Sequence, residues 1–289
     1  MFHLRSILSL LLYMENIYLL IFIGFLIGTL GTLIGAGGGF ILVPLLIIMQ
    51  PSFSPETITA ISMAVVACNA ISGSVAYMAI KRVDYKAGII FALCTIPGSI
   101  LGVYTTQIIP RDVFDIIFGI VLFVLAVFLF LKGGKKLSAS KPVTSHKGWV
   151  QQHLVDKWKH EYNYAYDMRK GNILSVFVGY FSPLLGIGGG IIHVPAMAEW
   201  LRFPVHIATA TSHFILAIMA TVSVIVHISQ GGYDDPFVLK MVVGLIIGVI
   251  PGAQLGAYLS GKMKGKIIIK ALSVSLAIVG IRILISRFA

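Results

Sequence analysis

Charge is scarce in this chain of 289 residues: 11% are charged and 57% hydrophobic. A soluble domain carries about 25% charged residues, so there are too few here to cover a globule in water. Cysteine is nearly absent. Cys68 and Cys94 both lie in apolar stretches, where they read as small packing residues, neither a disulfide nor part of a metal site. No G-x-x-x-x-G-K-[ST] loop occurs, which argues against ATP drive within this chain. No lysine or arginine falls in the middle of an apolar span, so an anion inside the membrane would meet backbone N–H groups, neutral donors or a protonated histidine.

What is abundant is apolar sequence, with a mean hydropathy of +0.94. Ile17 to Ile34, Thr57 to Ile80, Val113 to Leu131, Ile207 to Ser229 and Phe237 to Leu259 are each near or above the length needed to cross a bilayer as a helix, roughly 20 residues. The expected class is all-α: a polytopic helical membrane protein. A β-barrel would show short segments alternating at period two. The opening "MFHLRSILSLLLYM" lacks a convincing small-residue cleavage site and reads as a retained lead-in to the first helix.

The positive charge is uneven. Lys132 to Lys170 holds nine Lys/Arg and three acids, hence +6 of the formal +11. In a membrane protein this pattern points to cytoplasmic placement, against anionic lipid headgroups, and not to nucleic acid. The chain therefore divides into an N-terminal membrane repeat (1–132), a basic cytoplasmic linker (133–170) and a C-terminal membrane repeat (171–289).

Three motifs recur in order on either side of the linker. "LIGAGGGFILVP" (Leu33 to Pro44) matches "LLGIGGGIIHVP" (Leu184 to Pro195). "TAIS" (Thr59 to Ser62) matches "TATS" (Thr209 to Ser212), and "IPGSILGVY" (Ile96 to Tyr104) matches "IPGAQLGAY" (Ile250 to Tyr258). Ordered matches of this kind indicate a duplicated unit. Seventeen of the 22 Lys/Arg fall in loops assigned to the cytoplasm. On that assignment the Thr57–Ile80 helix runs inward and its counterpart Ile207–Ser229 runs outward. The halves are then inverted, as in many secondary transporters.

After each glycine run the apolar stretch is short, Phe40 to Met49 and Ile191 to Leu201. Neither spans about 30 Å at 1.5 Å per residue. The expectation is a helix that breaks at the glycines and restarts at half length, its free N–H groups and positive dipole end available to an anion. Gly37, Gly38, Gly39 and Gly188, Gly189, Gly190 would form the two halves of a central site. Close helix packing is the alternative use of glycine, and it is the expected one for "GTLGTLIG", "GLIIG", "PGSILG" and "PGAQLG".

These motifs resemble the TauE/SafE family of sulfite-exporter-like membrane proteins, over nearly the whole chain apart from 133–170. The resemblance implies transport of sulfur oxyanions or organosulfonates such as sulfite or sulfoacetate, with no enzymatic chemistry; the expected direction is export, and no cofactor is expected.

Polar residues inside spans complete the candidate site: Ser62, Asn69, Thr211, Ser212, His213 and Gln254, with Ser72, Ser74 and Ser99 as further donors. His213 would bind an anion when protonated and release it when neutral; the plainer reading is a neutral histidine bonded between helices. His193 and His227 are weaker candidates, and Glu199 is expected to pair with Arg202. The expected partners are the small anion, membrane lipid and a second copy of the chain, in the cell (inner) membrane. A passive anion channel is the alternative. A membrane-embedded enzyme is a weaker one, since only Asp234, Asp235 and the linker histidines (146, 153 and 160) offer titratable clusters.

Overall fold

The computed structural model describes residues 16–132 and 149–262. The N-terminal lead-in, His146, and the basic positions 264, 266 and 270 lie outside them. Nine helices and one hairpin are described. The first half comprises α1 (Ile17–Ile34), α2 (Gly39–Met49), α3 (Pro55–Ala79), α4 (Tyr85–Ile108) and α5 (Arg111–Lys132). Strands β1 (Trp149–Val155) and β2 (Glu161–Asp167) follow, then α6 (Met168–Leu185), α7 (Gly190–Glu199), α8 (Val205–Ser229) and α9 (Pro236–Lys262). Five of the helices (α1, α3, α4, α8 and α9) are long and apolar enough to cross a membrane, so this is a multi-pass membrane protein.

Local chemistry sets the helix ends. The Ser54 side chain accepts from the Thr57 N–H and Pro55 opens α3; Asp84 caps α4 through Ala87 N–H. Helices α1 and α6 stop at Gly35 and Gly186, with φ of 82° and 65°. That left-handed cap is readily adopted only by glycine. Pro97 and Pro251 lie inside the continuous helices α4 and α9. A proline removes one hydrogen bond from the ladder, and neighbouring helices hold the rest together.

Six glycines outside the two breaks pack helices at backbone distance in matched pairs, as expected for "PGSILG" and "PGAQLG". Gly28 on α1 meets the backbone of Val249 on α9, and Gly179 on α6 meets that of Thr95 on α4. Gly252 abuts Phe25 and Thr29; Gly98 abuts Val176 and Tyr180. Gly256 faces Thr29 and Leu33; Gly102 faces Tyr180 and Leu184. Each pair relates positions aligned by the sequence repeat, so α1 packs on α9 as α6 packs on α4. Without a hydrophobic drive between helices in lipid, small residues that admit close contact are the main means of holding them.

One departure from an all-helical chain lies in the polar segment. β1 and β2 pair antiparallel, Trp149 opposite Asp167 through Val155 opposite Glu161, and α6 begins at the very next residue. "YNYAY" (Tyr162 to Tyr166) alternates at period two, the strand signal. Tyr164 and Tyr166 are buried around Phe203, at ring separations of 4.9 and 4.6 Å.

Candidate functional site: two crossing helix breaks

The two glycine runs, 151 positions apart in sequence, touch in the fold. A methyl group on Gly39 would strike the Gly186 carbonyl and Ile187; one on Gly190 would strike the Gly35 carbonyl and Ala36. Gly37, Gly38 and Gly188 hold φ of 80°, 87° and 72°, whereas Gly189 is ordinary right-handed backbone at −56°. The half-helices α2 and α7 start here without side-chain caps. The N–H groups of Gly38, Gly39 and Phe40 make no hydrogen bond, nor do those of Gly188, Gly189 and Gly190. Six unbonded backbone donors and two positive helix ends thus lie where the two breaks touch.

Hydroxyls and a histidine surround the breaks. Ser62 donates to the Gly186 carbonyl at 2.6 Å. Asn69 Nδ2 donates to the Gly37 carbonyl at 2.7 Å, and its Oδ1 accepts from Thr32 Oγ1 at 2.6 Å. Thr32 Oγ1 also lies 3.1 Å from His213 Nε2. The threonine's one hydroxyl hydrogen is already given to Asn69, so His213 Nε2–H must be the donor in that contact. The result is a directional chain, His213 to Thr32 to Asn69 to the Gly37 carbonyl, tying the second half of the chain to the first break. Tyr77 braces it: its hydroxyl donates to the Thr32 carbonyl at 2.7 Å and its ring meets His213 edge-on at 5.7 Å. Gly73 leaves room for the imidazole, which a side chain there would strike. His213 Nδ1 and the hydroxyls of Ser182, Thr209 and Ser212 are buried without hydrogen-bond partners.

The other candidates are placed elsewhere. Thr211 Oγ1 accepts from the Asp84 N–H at 3.0 Å, facing the loop that leads into α4. Gln254 donates to the Ser72 carbonyl and hydroxyl at 2.8 and 3.0 Å, joining α9 to α3. Ser99 bonds within its own helix, and Ser74 is buried and unpartnered. His193 bonds Ser175 at 3.3 Å; His227 is buried with neither nitrogen bonded. The expected Glu199–Arg202 pair is not among the described ion pairs. Arg202 instead lies over Trp149, 5.4 Å from its ring centre, because the hairpin offers an aromatic face there. Sequence reasoning passed over Thr32 and Tyr77. Their signal was faint: single polar groups in apolar helices, given meaning only by the neighbours that the fold supplies.

Formal charge is kept away from the breaks. Among the described residues, the only buried charged side chains besides histidine are Arg82, Asp84 and Asp156, all where the hairpin meets the bundle. Asp84 accepts from Tyr164 at 2.7 Å and from Gln152 at 3.4 Å. Burial, then the neighbouring Asp84 carboxylate, pushes the Tyr164 hydroxyl well above its usual range, so it remains a donor. Asp156 Oδ2 takes Arg82 Nη2 at 2.8 Å and Nε at 3.1 Å, with His160 Nδ1 at 3.2 Å and Tyr162 Oη at 3.3 Å.

Burial would raise the Asp156 carboxyl, but the Arg82 hydrogen bonds and then the His160 backbone outweigh it and hold it down to about 2. A depressed folded-state value stabilises fully above the unfolded value of about 3.9, and that contribution disappears as pH falls through the folded value. The hairpin is therefore expected to stay docked from pH 7 to about 4 and to detach between about 4 and 2. Trp158 fluorescence in a variant lacking Trp149 and Trp200 measures this; detachment already at pH 5 would contradict it.

Five membrane-length helices and two interrupted helices whose uncapped ends meet inside the bundle define a polytopic protein with a buried, uncharged, donor-rich centre. The sequence model of the "Sulfite exporter TauE/SafE" family matches residues 20–283. "Probable membrane transporter protein YunE" of Bacillus subtilis is 32% identical over 233 residues, 78% of this chain and 83% of that protein. A "Probable membrane transporter protein" of Methanocaldococcus jannaschii is 28% identical over 199 residues, 67% of this chain and 66% of its own length. No solved structure matches. The chain belongs to the TauE/SafE family and is a membrane transporter, not an enzyme.

Proposed function

We propose that this transporter exports sulfur oxyanions or organosulfonates, such as sulfite or sulfoacetate, by alternating access, holding the anion at the N-termini of α2 and α7. The observation that carries this reading is that six unbonded backbone N–H groups lie where the two breaks touch, with no carboxylate among the described residues buried at the breaks to repel an anion. Backbone donors at helix starts suit tetrahedral or pyramidal oxyanions, and glycine lets them approach. Among the described residues no lysine or arginine is buried at the breaks, which suits release as well as binding.

The matched packing of α1 on α9 and α6 on α4 supports two repeats, and the charge distribution supports their inversion. Rocking one repeat against the other would open the breaks to each side in turn. We place the protein in the cell (inner) membrane with the 133–170 segment cytoplasmic, surrounded by lipid and paired with a second copy of the chain. A reporter fused within residues 133–148 should read as cytoplasmic; a periplasmic signal would overturn the inversion.

The direct test is calorimetry of purified protein with sulfite, sulfoacetate, sulfate, taurine, phosphate and acetate. Saturable binding of sulfite or a sulfonate, with a pH dependence altered by His213→Gln, is the expected result. Binding of none of the six would sink the assignment. Counterflow in proteoliposomes then separates carrier from channel.

A further inference from the structure

The β1–β2 hairpin joins the start of the second half of the chain to a loop of the first. It runs without a break into α6, the first helix of the second half. Yet its tip is fastened to the loop between α3 and α4 in the first half. Lys157 N–H donates to the Ile80 carbonyl at 3.0 Å, Arg82 grips Asp156, and the guanidinium lies 4.8 Å beneath the Trp158 ring. The same loop is bonded to α8, since the Asp84 N–H donates to Thr211, two residues before His213.

The fastening is unusual in its chemistry. Arg82 is 2% exposed, and its Nη1 is buried with no hydrogen-bond partner. Nε and Nη2 converge on one oxygen of a carboxylate that belongs to a surface hairpin. The other oxygen is held by the Trp158 and His160 N–H groups, both at 2.9 Å. Histidine and tyrosine from the hairpin (His160, Tyr162) also face the pair, and His206 on α8 interacts with it electrostatically. Asp156 thus occupies, as a tethered carboxylate, the position where a guanidinium would receive a free oxyanion.

We propose that the hairpin is a clamp between the two halves, and that Arg82 is a second anion-binding residue whose internal ligand, Asp156, is exchanged for the incoming oxyanion as the clamp opens. This rests on the anion-transport reading of the glycine site. In the clamped state the α3–α4 loop and α6 move together. When an oxyanion takes Arg82, Asp156 is left without its partner at a buried position, which is strongly unfavourable, and the hairpin detaches. Alone, a two-stranded hairpin is marginally stable, so its amides then exchange with solvent.

The test is hydrogen exchange of residues 149–167 in the full-length protein in lipid nanodiscs, with sulfite as the probe. Saturating sulfite should speed exchange there about tenfold in the wild type. Asp156→Asn should exchange fast without sulfite, and Arg82→Gln should show no further response to it. A disulfide between Ile80→Cys and Lys157→Cys, with Cys68 and Cys94 replaced by alanine, should stop counterflow of sulfoacetate, which unlike sulfite does not cleave a disulfide, and dithiothreitol should restore it. Sulfite that binds by calorimetry but leaves wild-type exchange unchanged overturns the proposal, as does full counterflow in the oxidised pair. If sulfite does not bind at all, the glycine-site reading fails on its own; slow exchange in Asp156→Asn would then separately overturn the clamp.

Discussion

Gly190→Ala is expected to prevent assembly of the folded bundle. The added methyl would be driven into the Gly35 carbonyl and the Ala36 backbone, which belong to the opposite break and have no rotamer with which to yield. Overpacking a core costs 1–3 kcal/mol when side chains can adjust; here only backbone can move, so the cost should reach or exceed about 3 kcal/mol. The equivalent Gly39→Ala, against Gly186 and Ile187, should behave alike. Gly232→Ala is the contrast, with the His227 carbonyl at 3.1 Å and the Ala60 Cβ at 3.5 Å as its nearest neighbours, and should cost under about 1 kcal/mol. Fluorescence size-exclusion profiles and thermal midpoints of the three variants measure the difference. A monodisperse Gly190→Ala protein of wild-type stability would show that the breaks do not meet as described.

Asn69→Leu carries the second large effect. Leucine is close in volume, so packing is nearly kept, but the substitution strands the Gly37 carbonyl and leaves Thr32 Oγ1 with no acceptor at Asn69. Each buried group left unpaired costs about 1–3 kcal/mol, and in lipid no water compensates. A loss of about 2–4 kcal/mol is expected, which for a protein of this size lowers the thermal midpoint by roughly 5–15 °C. Since the chain ends on His213 Nε2–H, anion binding should lose its histidine-linked pH dependence as well. An unchanged midpoint with unchanged pH dependence would mean that the chain neither stabilises the first break nor positions the histidine.

Much of the architecture was legible in the residues. The apolar runs marked the spans because backbone polar groups must be bonded internally in lipid, which leaves the helix as the natural solution for such segments. The glycine runs marked the breaks because Gly35 and Gly186 end their helices in a left-handed conformation that other residues resist. Less was legible about the site. Thr211 and Gln254 have the right chemistry but the fold gives them to the Asp84 loop and to Ser72. Thr32 looked like one more small residue in a glycine-rich helix. The hairpin was hidden by its composition, since the basic charge of the segment masked the alternating tyrosines.

What the sequence by itself determined is whatever depends on local physics: which segments are apolar enough to cross, where helices stop, and that three motifs recur in order. What only the tertiary structure decided is which of these units meet. The crossing of the two breaks, the His213–Thr32–Asn69 chain and the Arg82–Asp156 fastening all join residues separated by 37 to 181 positions. No local pattern records such a contact. It exists only because tertiary packing brings these groups within hydrogen-bond reach, and only there does a buried polar group gain the partner that makes its burial tolerable.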